Sequence, residues 1–304
     1  MKEILHVHLI HNNTAGEGHA KEDMTELIQS NGYDCHYASA KEMGWDHWPE
    51  NTELIAIAGG DGTVRQVITK LMELHKPIPF ALLPAGTANN VSKTLGLIDE
   101  KEKLVKGWHN GRYQKIDVGK INRHDEGKFF IESAGFGIFP EFMEATKKVK
   151  LSEGHTPAEN LRNALLAFQQ IVSTCEAQTC RLMIDGKDYS DNYLLVEIMN
   201  IKDIGPNIRL SANSDPTDGI LEVVLVKEPE REKLSEYIAH KINGVEHDCM
   251  LPIIKAQKIA MLWPRSIAHI DDTLIGLVPE QQVIVEIVPD ALEHLEPGRG
   301  SSSL

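Results

Sequence analysis

The chain has 304 residues, which exceeds the usual size of one domain and favours two. Of these residues 41% are hydrophobic and 25% charged, a composition typical of a soluble globular protein. Its formal net charge of −14 argues against nucleic acid as a partner and against permanent docking on an anionic membrane, because both need a basic face. No apolar run approaches the roughly 20 residues that cross a bilayer, and the N-terminus has a strand pattern and not that of a signal peptide. We therefore expect a cytoplasmic protein without a transmembrane segment.

The first third of the chain alternates between strand and helix patterns. Residues 54–58 form the continuous apolar run of a strand that is buried on both faces of a parallel sheet. Apolar residues then recur on one face of a helix, at Val64, Val67, Ile68, Leu71 and Met72. Further strands are predicted over 4–11, 33–39 and 80–83, with helices over 20–30 and from about residue 88. This order predicts a doubly wound α/β nucleotide-binding domain, whose ligands bind beyond the carboxyl ends of the strands.

Beyond about residue 112 the pattern changes to short strands separated by turn residues. Strands are predicted over residues 113–121, 128–134, 180–184, 193–199, 220–226, 258–262 and 282–288, with helices over 157–172 and 232–242. This spacing predicts a second, mostly antiparallel β domain. We expect the α/β domain to span residues 1–115, completed by 289–304, and the β-rich domain to span 116–288.

Cysteines and histidines show no metal-binding pattern. No CxxC pair occurs, so we expect reduced, partly buried thiols at Cys35, Cys175, Cys180 and Cys249. His6 and His8 alternate along the first predicted strand, and we expect both on its less buried face.

The sequence Gly59-Gly60-Asp61-Gly62-Thr63 lies between the buried strand and the following helix. Glycines let the backbone approach a ligand closely, and the N-terminus of a helix attracts anions. Thr63 can cap the helix or donate to a phosphate oxygen. Asp61 would repel phosphates unless it contacts Mg²⁺ or accepts a proton from an attacking hydroxyl. A tight turn capped by Asp61 is the alternative interpretation of this loop.

A second loop of the same kind, Pro84-Ala85-Gly86-Thr87-Ala88-Asn89-Asn90, follows the next strand. Loops that follow neighbouring parallel strands lie at the same edge of a sheet. The two loops together therefore predict a site for nucleotide phosphates.

These two loops resemble those of the catalytic domain of diacylglycerol kinases and sphingosine kinases, and most of all the soluble bacterial lipid kinases of that family. The likeness extends over nearly the whole chain. It is carried by residues 11–16, 57–63 and 83–89, by Ile116-Asp117-Val118-Gly119, by Ser133-Ala134-Gly135-Phe136-Gly137, by 215–221 and by 270–273.

The resemblance implies a lipid kinase with ATP in a cleft between two domains. The acceptor would be a lipid hydroxyl such as that of diacylglycerol, reached by transient membrane contact. The implied ATP-binding residues are Asn12, Thr14, Ser39, Gly59, Gly60, Asp61, Gly62, Thr63, Gly86, Thr87 and Asn89. A structural Mg²⁺ is implied near Asp215, held by the Asp218 carboxylate and the carbonyl of Ile220, with a plain Asp-Gly turn as the alternative. The sequence leaves the oligomeric state open, a homodimer included.

Three positions depart from the family pattern, and at each of them a carboxylate is replaced: Gln66, Asn90 and Thr273. Thr273 stands where the family has the Glu that is often assigned as the base, and a threonine cannot serve as one at neutral pH. We predict that Asp61 or Asp271 assists deprotonation of the acceptor. If residues 271–273 form a regular strand, neighbouring side chains point to opposite faces and only one of the two aspartates can face the site. We favour Asp271, which occupies the family's Asp position, and expect Asp272, at a glycine position of the family, on a solvent-facing turn.

Other functions remain open from the sequence. An NAD kinase shares the Gly-Gly-Asp-Gly-Thr loop, but we find no Asn-Glu pair for the nicotinamide nucleotide. A phosphofructokinase would need a set of arginines for a sugar phosphate. A non-catalytic nucleotide or lipid sensor with the same fold is the third alternative. For contact with a lipid chain the candidates are Phe136, Phe139, Phe142 and Met143, although such a stripe is more typical of a core.

Overall fold

The computed structural model describes residues 5–14, 20–74, 78–97, 100–123, 126–147, 156–245, 247, 249–279 and 281–298. The chain divides into two compact units, which we call the N-terminal unit (residues 1–117 with 289–304) and the second unit (residues 118–288). No helix in these described ranges is long and apolar enough to cross a membrane.

The N-terminal unit is built on parallel strands flanked by helices, as the alternating pattern predicts. Its elements are β1 (His6–His11), α1 (Lys21–Ser30), β2 (Asp34–Ser39), β3 (Leu54–Gly59), α2 (Asp61–Leu74), β4 (Phe80–Pro84), α3 (Asn90–Thr94) and α4 (Lys101–Gly107). The strand order is β2-β1-β3-β4, and the end of the last strand of the chain runs parallel to β4, where His294 pairs with Phe80. Every residue of β3 is buried, as its apolar sequence predicts.

The second unit contains mostly antiparallel strands. Its elements, two of which extend into the N-terminal unit, are β5 (Arg112–Arg123), β6 (Glu126–Phe130), β7 (Ser133–Gly137), α5 (Ile138–Lys147), α6 (Pro157–Thr174), β8 (Gln178–Ile184), β9 (Lys187–Asp188), β10 (Asp191–Tyr193), β11 (Leu195–Met199), β12 (Asp203–Ile204), β13 (Ile208–Arg209), β14 (Leu221–Val226), α7 (Arg231–Ile242), β15 (Ile253–Ala256), β16 (Lys258–Leu262), β17 (Ile267–Ile270), β18 (Thr273–Gly276) and β19 (Gln282–Glu296).

Two apolar cores hold the second unit together. A six-stranded antiparallel sheet has the order β15-β14-β11-β7-β17-β18. One of its faces packs on strands such as β8 and β16, and Phe136 belongs to this core. The other face packs on the helices α5, α6 and α7, and this core contains Phe139 and Phe142, with Met143 partly buried against it. The four candidates for lipid contact therefore lie in or against two separate cores.

Several predicted boundaries differ from the structure. The strand predicted over 128–134 is two strands, β6 and β7, interrupted at residues 131–132. The helix expected from about residue 88 starts at Asn90 and has only five residues. The last strand continues from residue 288 to Glu296, because its second half pairs in the N-terminal unit.

The expectation for His8 is wrong, and that for the cysteines is confirmed. His8 is buried because β1 lies inside the sheet between β2 and β3, and its ring stacks on His36 with 4.9 Å between centroids. His6 is partly exposed. None of the four cysteines forms a disulfide, and all are buried or partly buried.

Candidate functional site

The carboxyl ends of the parallel strands lie at one edge of the N-terminal unit. His11 pairs with both Ser39 and Ala58, and Gly59 pairs with Pro84, so the strands end in register. This register places the residues that follow each strand, including both glycine loops, at the same edge. It is the position at which open α/β sheets bind ligands.

The two glycine loops touch each other through their backbones. A Cβ atom built on Gly60 would lie 3.0 Å from the Cα of Gly86, and one built on Gly86 would lie 2.5 Å from the Cα of Gly60. The backbone N–H of Ala85 also donates to the carbonyl of Gly59 at 2.9 Å. Glycine is therefore required at both positions, because any side chain would force the loops apart.

Asn12 joins the end of β1 to the first glycine loop. Its side-chain Nδ2 donates to the Oγ1 of Thr63 at 3.2 Å, while its Oδ1 accepts the hydroxyl of Thr14 at 3.0 Å. The ammonium of Lys41 also donates to the hydroxyl of Thr14, which brings a positive charge to this edge. Residues 15 and 16 of the predicted nucleotide turn lie outside the described residues.

Asn89 and Ser39, both predicted to bind nucleotide, make contacts that shape the loops. Asn89 has a positive φ of 52°. Its side chain accepts the N–H of Gly86 at 2.9 Å and donates to the carbonyl of Gly86 at 2.7 Å. Ser39 is buried at the end of β2, and its hydroxyl accepts the N–H of Lys41 at 3.4 Å. Thr87 is exposed at the tip of the second loop. Nucleotide binding by Ser39, Thr87 and Asn89 stays a prediction.

The carboxylate of Asp61 links the two loops. Asp61 is the first residue of α2, and its Oδ1 accepts the N–H of Val91 at 3.1 Å, in the first turn of α3. Burial raises the pKa of this carboxyl, against the opposing effect of the N–H groups of Asn90 and Val91 and the charge of Lys93. The Asp61 side chain thus caps α3 and positions the second glycine loop relative to the first. Its catalytic role stays a prediction.

Asp271 lies in a turn, and the alternative of a regular strand over 271–273 is therefore wrong. Residues 271 and 272 connect β17 to β18, and Asp271 has a φ of 48°. Its carboxylate accepts backbone N–H groups from Ile131 (3.3 Å), Glu132 (2.8 Å) and Ser133 (3.2 Å). Such saturation by donors is typical of a structural carboxylate and does not favour the predicted role as a general base.

Asp272, by contrast, has an exposed side chain on the same turn, as expected from the sequence. Its Oδ1 accepts the hydroxyl of Thr273 at 3.2 Å.

A buried ion pair beside this turn was not predicted from the sequence. His269 on β17 contacts Glu197 on β11, and both side chains are almost completely buried. The available signal was a glutamate within the otherwise apolar strand 194–199, where a charge requires a partner.

The predicted magnesium loop contains oxygen donors that are partly engaged. Asp215 Oδ1 accepts the N–H (3.1 Å) and the hydroxyl (2.7 Å) of Thr217. Asp218 Oδ1 accepts the N–H of Ile220 at 3.0 Å. Among the described residues no group of three or more His, Cys, Asp or Glu side chains is arranged to hold a metal ion. Two carboxylates and a carbonyl are nevertheless donors of the kind that Mg²⁺ prefers, so the residues of the loop are chemically suited to hold this ion.

Comparison with known proteins places these features in a family. Residues 6–121 match the family model described as the diacylglycerol kinase catalytic domain, and residues 143–296 match that of the YegS C-terminal NAD kinase beta sandwich-like domain. A diacylglycerol kinase of Mycobacterium tuberculosis is 23% identical over 292 residues, covering 93% of this chain and 87% of the relative.

Solved structures share the fold. A diacylglycerol kinase from Bacillus anthracis has a TM-score of 0.72 at 22% identity, covering 97% of this chain and 98% of that one. An NAD kinase from Archaeoglobus fulgidus, in complex with ATP, is more distant, with a TM-score of 0.54 at 11% identity over 97% of this chain and 94% of that one. The two matched domains and the shared fold show that this chain belongs to the diacylglycerol kinase family of bacterial lipid kinases.

Proposed function

We propose that this protein is an ATP-dependent kinase that transfers the γ-phosphoryl group of ATP to a lipid hydroxyl, such as that of diacylglycerol. The observation that supports this most is the backbone contact between Gly60 and Gly86, which brings two glycine loops together at the carboxyl edge of a parallel sheet. The N-terminus of α2 lies in the same place and favours negatively charged phosphates.

The proposed roles in the N-terminal unit are binding and charge compensation. The backbone of residues 60–63 and the exposed Thr87 would hold the phosphates, with Asn12 orienting the hydroxyl of Thr63. Lys41 supplies a positive charge at this edge. Phosphoryl transfer depends mainly on such positioning and on electrostatic stabilisation. Asp61 keeps the two loops in register by capping α3.

The proposed proton acceptor is a carboxylate of the turn 271–272. The acceptor oxygen forms a bond to the γ-phosphorus while the bond from that phosphorus to the bridging oxygen breaks, and ADP leaves. The hydroxyl proton passes to the base, which we place on Asp272 because Asp271 is held by three N–H donors. Mg²⁺ supplies charge neutralisation in this chemistry, and a structural ion would be held by Asp215, Asp218 and the carbonyl of Ile220.

The protein would act from the cytoplasm and reach its lipid by transient contact, since a net charge of −14 gives no lasting attraction to an anionic surface. The direct test is incubation of the purified protein with labelled ATP, Mg²⁺ and a mixed lipid extract. Label in a lipid product supports the proposal, whereas label appearing only in NADP when NAD is added would favour the NAD kinase alternative.

A non-catalytic sensor is the second candidate. It is favoured by Thr273, which carries no carboxylate, and by the structural engagement of Asp271. A sensor would bind ATP with an ordinary affinity and yield no labelled lipid under any condition.

A further inference from the structure

Glu197 and His269 form an ion pair inside the second unit. The side chains are 0% and 3% exposed, respectively, and Nε2 of His269 lies 3.0 Å from Oε1 and 3.1 Å from Oε2 of Glu197. Glu197 lies on the same face of β11 as Leu195 and Met199, which belong to the core beneath the helices. The pair therefore lies within an apolar layer, where an uncompensated charge would be strongly destabilising.

Gly135 provides the space for this pair. Strand β7 lies between β11 and β17, and Gly135 is paired in register with Glu197 on one side and with His269 on the other. A Cβ atom at this position would collide with the carboxylate of Glu197 and with the ring of His269. The glycine is thus explained by the two side chains that meet above it.

The hydrogen bonds of His269 define the protonation of the pair. Its Nδ1 lies 2.8 Å from the backbone carbonyl oxygen of Asp271, which can only accept, so Nδ1 carries a proton. Its Nε2 faces the carboxylate of Glu197, which accepts hydrogen bonds, so a second proton on Nε2 completes the pair. Burial alone lowers the pKa of His269, but the charge and hydrogen bond of Glu197 and the contacts with Asp271 raise it above its ordinary value.

The same hydrogen bond fixes the main chain of the turn. Asp271 has a positive φ, which is unfavourable for a residue with a side chain and persists only where surrounding contacts impose it. Those contacts are the bond from His269, the bond from the Asp271 N–H to the carbonyl of Ser133 at 2.8 Å, and the three N–H groups on its carboxylate. The next residue along the turn is Asp272.

We propose that Glu197 and His269 are positioning residues that hold the turn 271–272, and with it the Asp272 carboxylate, in the geometry used for phosphoryl transfer. This inference rests on the proposed function. The charged groups that act on His269 are Glu197 from β11 and Asp271 from its own hairpin, while α5 contributes the uncharged ring of Phe139 at 5.9 Å.

The test compares variants that separate the two bonds of His269. His269→Gln keeps a donor for Glu197 but loses the bond to the Asp271 carbonyl, and we expect kcat to fall about 10- to 100-fold with the KM for ATP unchanged. His269→Asn combined with Glu197→Gln keeps a donor for that carbonyl and should recover most of the turnover. The matched control is Asp203→Asn, which weakens another ion pair in the same unit, that of buried Asp203 with Arg209 at 3.0 Å.

Asp203→Asn should lower the melting temperature without changing kcat. Equal kcat values for His269→Gln and Asp203→Asn, compared at the same folded fraction, would overturn the positioning role. Glu197→Gln, which is isosteric, gives a second measurement if His269→Gln does not fold. Its turnover should decline at a lower pH than that of the wild type, because without the Glu197 charge the ring loses its Nε2 proton more easily, and a neutral ring donates more weakly from Nδ1 to the Asp271 carbonyl. An unchanged profile contradicts the proposal.

A spectroscopic measurement distinguishes failure of this inference from failure of the proposed function. In protein labelled with ¹⁵N-histidine, both ring nitrogens of His269 should be protonated in the wild type, with Nδ1 hydrogen-bonded. In Glu197→Gln the Nε2 proton should be lost at a lower pH, while Nδ1 keeps its proton. A wild-type protein that labels no lipid overturns the proposed function. The spectrum then tests separately whether Glu197 controls the protonation of His269. If the imidazole of His269 titrates near its ordinary pKa, Glu197 does not control its protonation and the positioning role is refuted.

Discussion

The carboxylate of Asp61, in the first turn of α2, accepts a hydrogen bond at 3.1 Å from the backbone N–H of Val91, in the first turn of α3. Each of these helices follows one of the two glycine loops. A single side chain therefore caps the second helix from the first and keeps the loops in a fixed relation.

Asp61→Ala should remove this cap and reduce the free energy of unfolding by about 0.5–2 kcal/mol, the usual contribution of a helix cap. Phosphoryl transfer should be lost as well. Asp61→Asn keeps the accepting oxygen and serves as the control, with stability close to that of the wild type. Urea unfolding and lipid labelling measure the two effects. A cleanly folded Asp61→Ala protein with full activity would show that the carboxylate neither positions the glycine loops nor assists phosphoryl transfer.

Gly86→Ala should separate the glycine loops, because the new Cβ would lie 2.5 Å from the Cα of Gly60, a backbone atom that cannot rotate away. We expect activity to fall at least about 100-fold, since misplacement of phosphate-binding groups by about 1 Å has effects of that size. Gly276→Ala is the matched control, because a Cβ there meets no atom within 4 Å. Comparable activities of the two variants would count against a phosphate site at these loops.

Loss of charge should have different effects at the two aspartates of the turn. Asp271→Asn should lower stability by about 1–3 kcal/mol, because its amide group cannot accept all three N–H groups that the carboxylate accepts. Asp272→Asn should leave stability unchanged and reduce turnover by about two to four orders of magnitude, the usual contribution of a positioned base.

Thr273→Glu, which restores the family residue, should hold or raise the rate. If the wild type is inactive and Thr273→Glu creates activity, the natural protein is a sensor. If the wild type is active and Asp272→Asn keeps full activity, Asp272 is not the base.

Chelation should reveal a structural metal in the loop 215–220. If Asp215 and Asp218 hold Mg²⁺, removal of the ion should lower the melting temperature even without ATP, because an ion bound only to the folded state stabilises it. Asp218→Asn should abolish that response, with Asp185→Asn, in a separate turn, as the control. Identical melting curves with and without chelator would leave an ordinary Asp-Gly turn.

Stability should fall in mild acid because of His294. This ring is fully buried, neither nitrogen has a hydrogen-bond partner among the described residues, and burial lowers its pKa from 6.5 to about 4. Below pH 6.5 the unfolded chain takes up a proton that the folded protein does not accept until about pH 4. The folded state is therefore progressively destabilised between these values, by about 2 kcal/mol at pH 5.

His294→Phe should remove this penalty, because a phenyl ring fits beside Phe80, whose centroid lies 5.2 Å from that of His294. The gain in unfolding free energy over the wild type should be larger at pH 5 than at pH 8, as measured by urea denaturation. A gain in unfolding free energy that is independent of pH would show that the phenyl ring only packs better, and that titration of His294 does not affect stability.

The sequence by itself determined the α/β unit and its glycine loops, because their signals are local. The apolar run at 54–58, the glycines at 59, 60 and 62 and the helical period that starts at Val64 follow one another directly, and the loop with Gly86 directly follows the next predicted strand. The antiparallel second unit followed from the spacing of turn residues in the same way.

Only the tertiary structure decided what the acidic residues contact. Asp61 and Val91 are 30 residues apart in sequence, Glu197 and His269 are 72 apart, and Asp271 and Glu132 are 139 apart. Contacts between such distant residues leave no periodic pattern in the chain. The positive φ at Asp271 has the same origin, since it is imposed by hydrogen bonds from another strand and not by the local sequence.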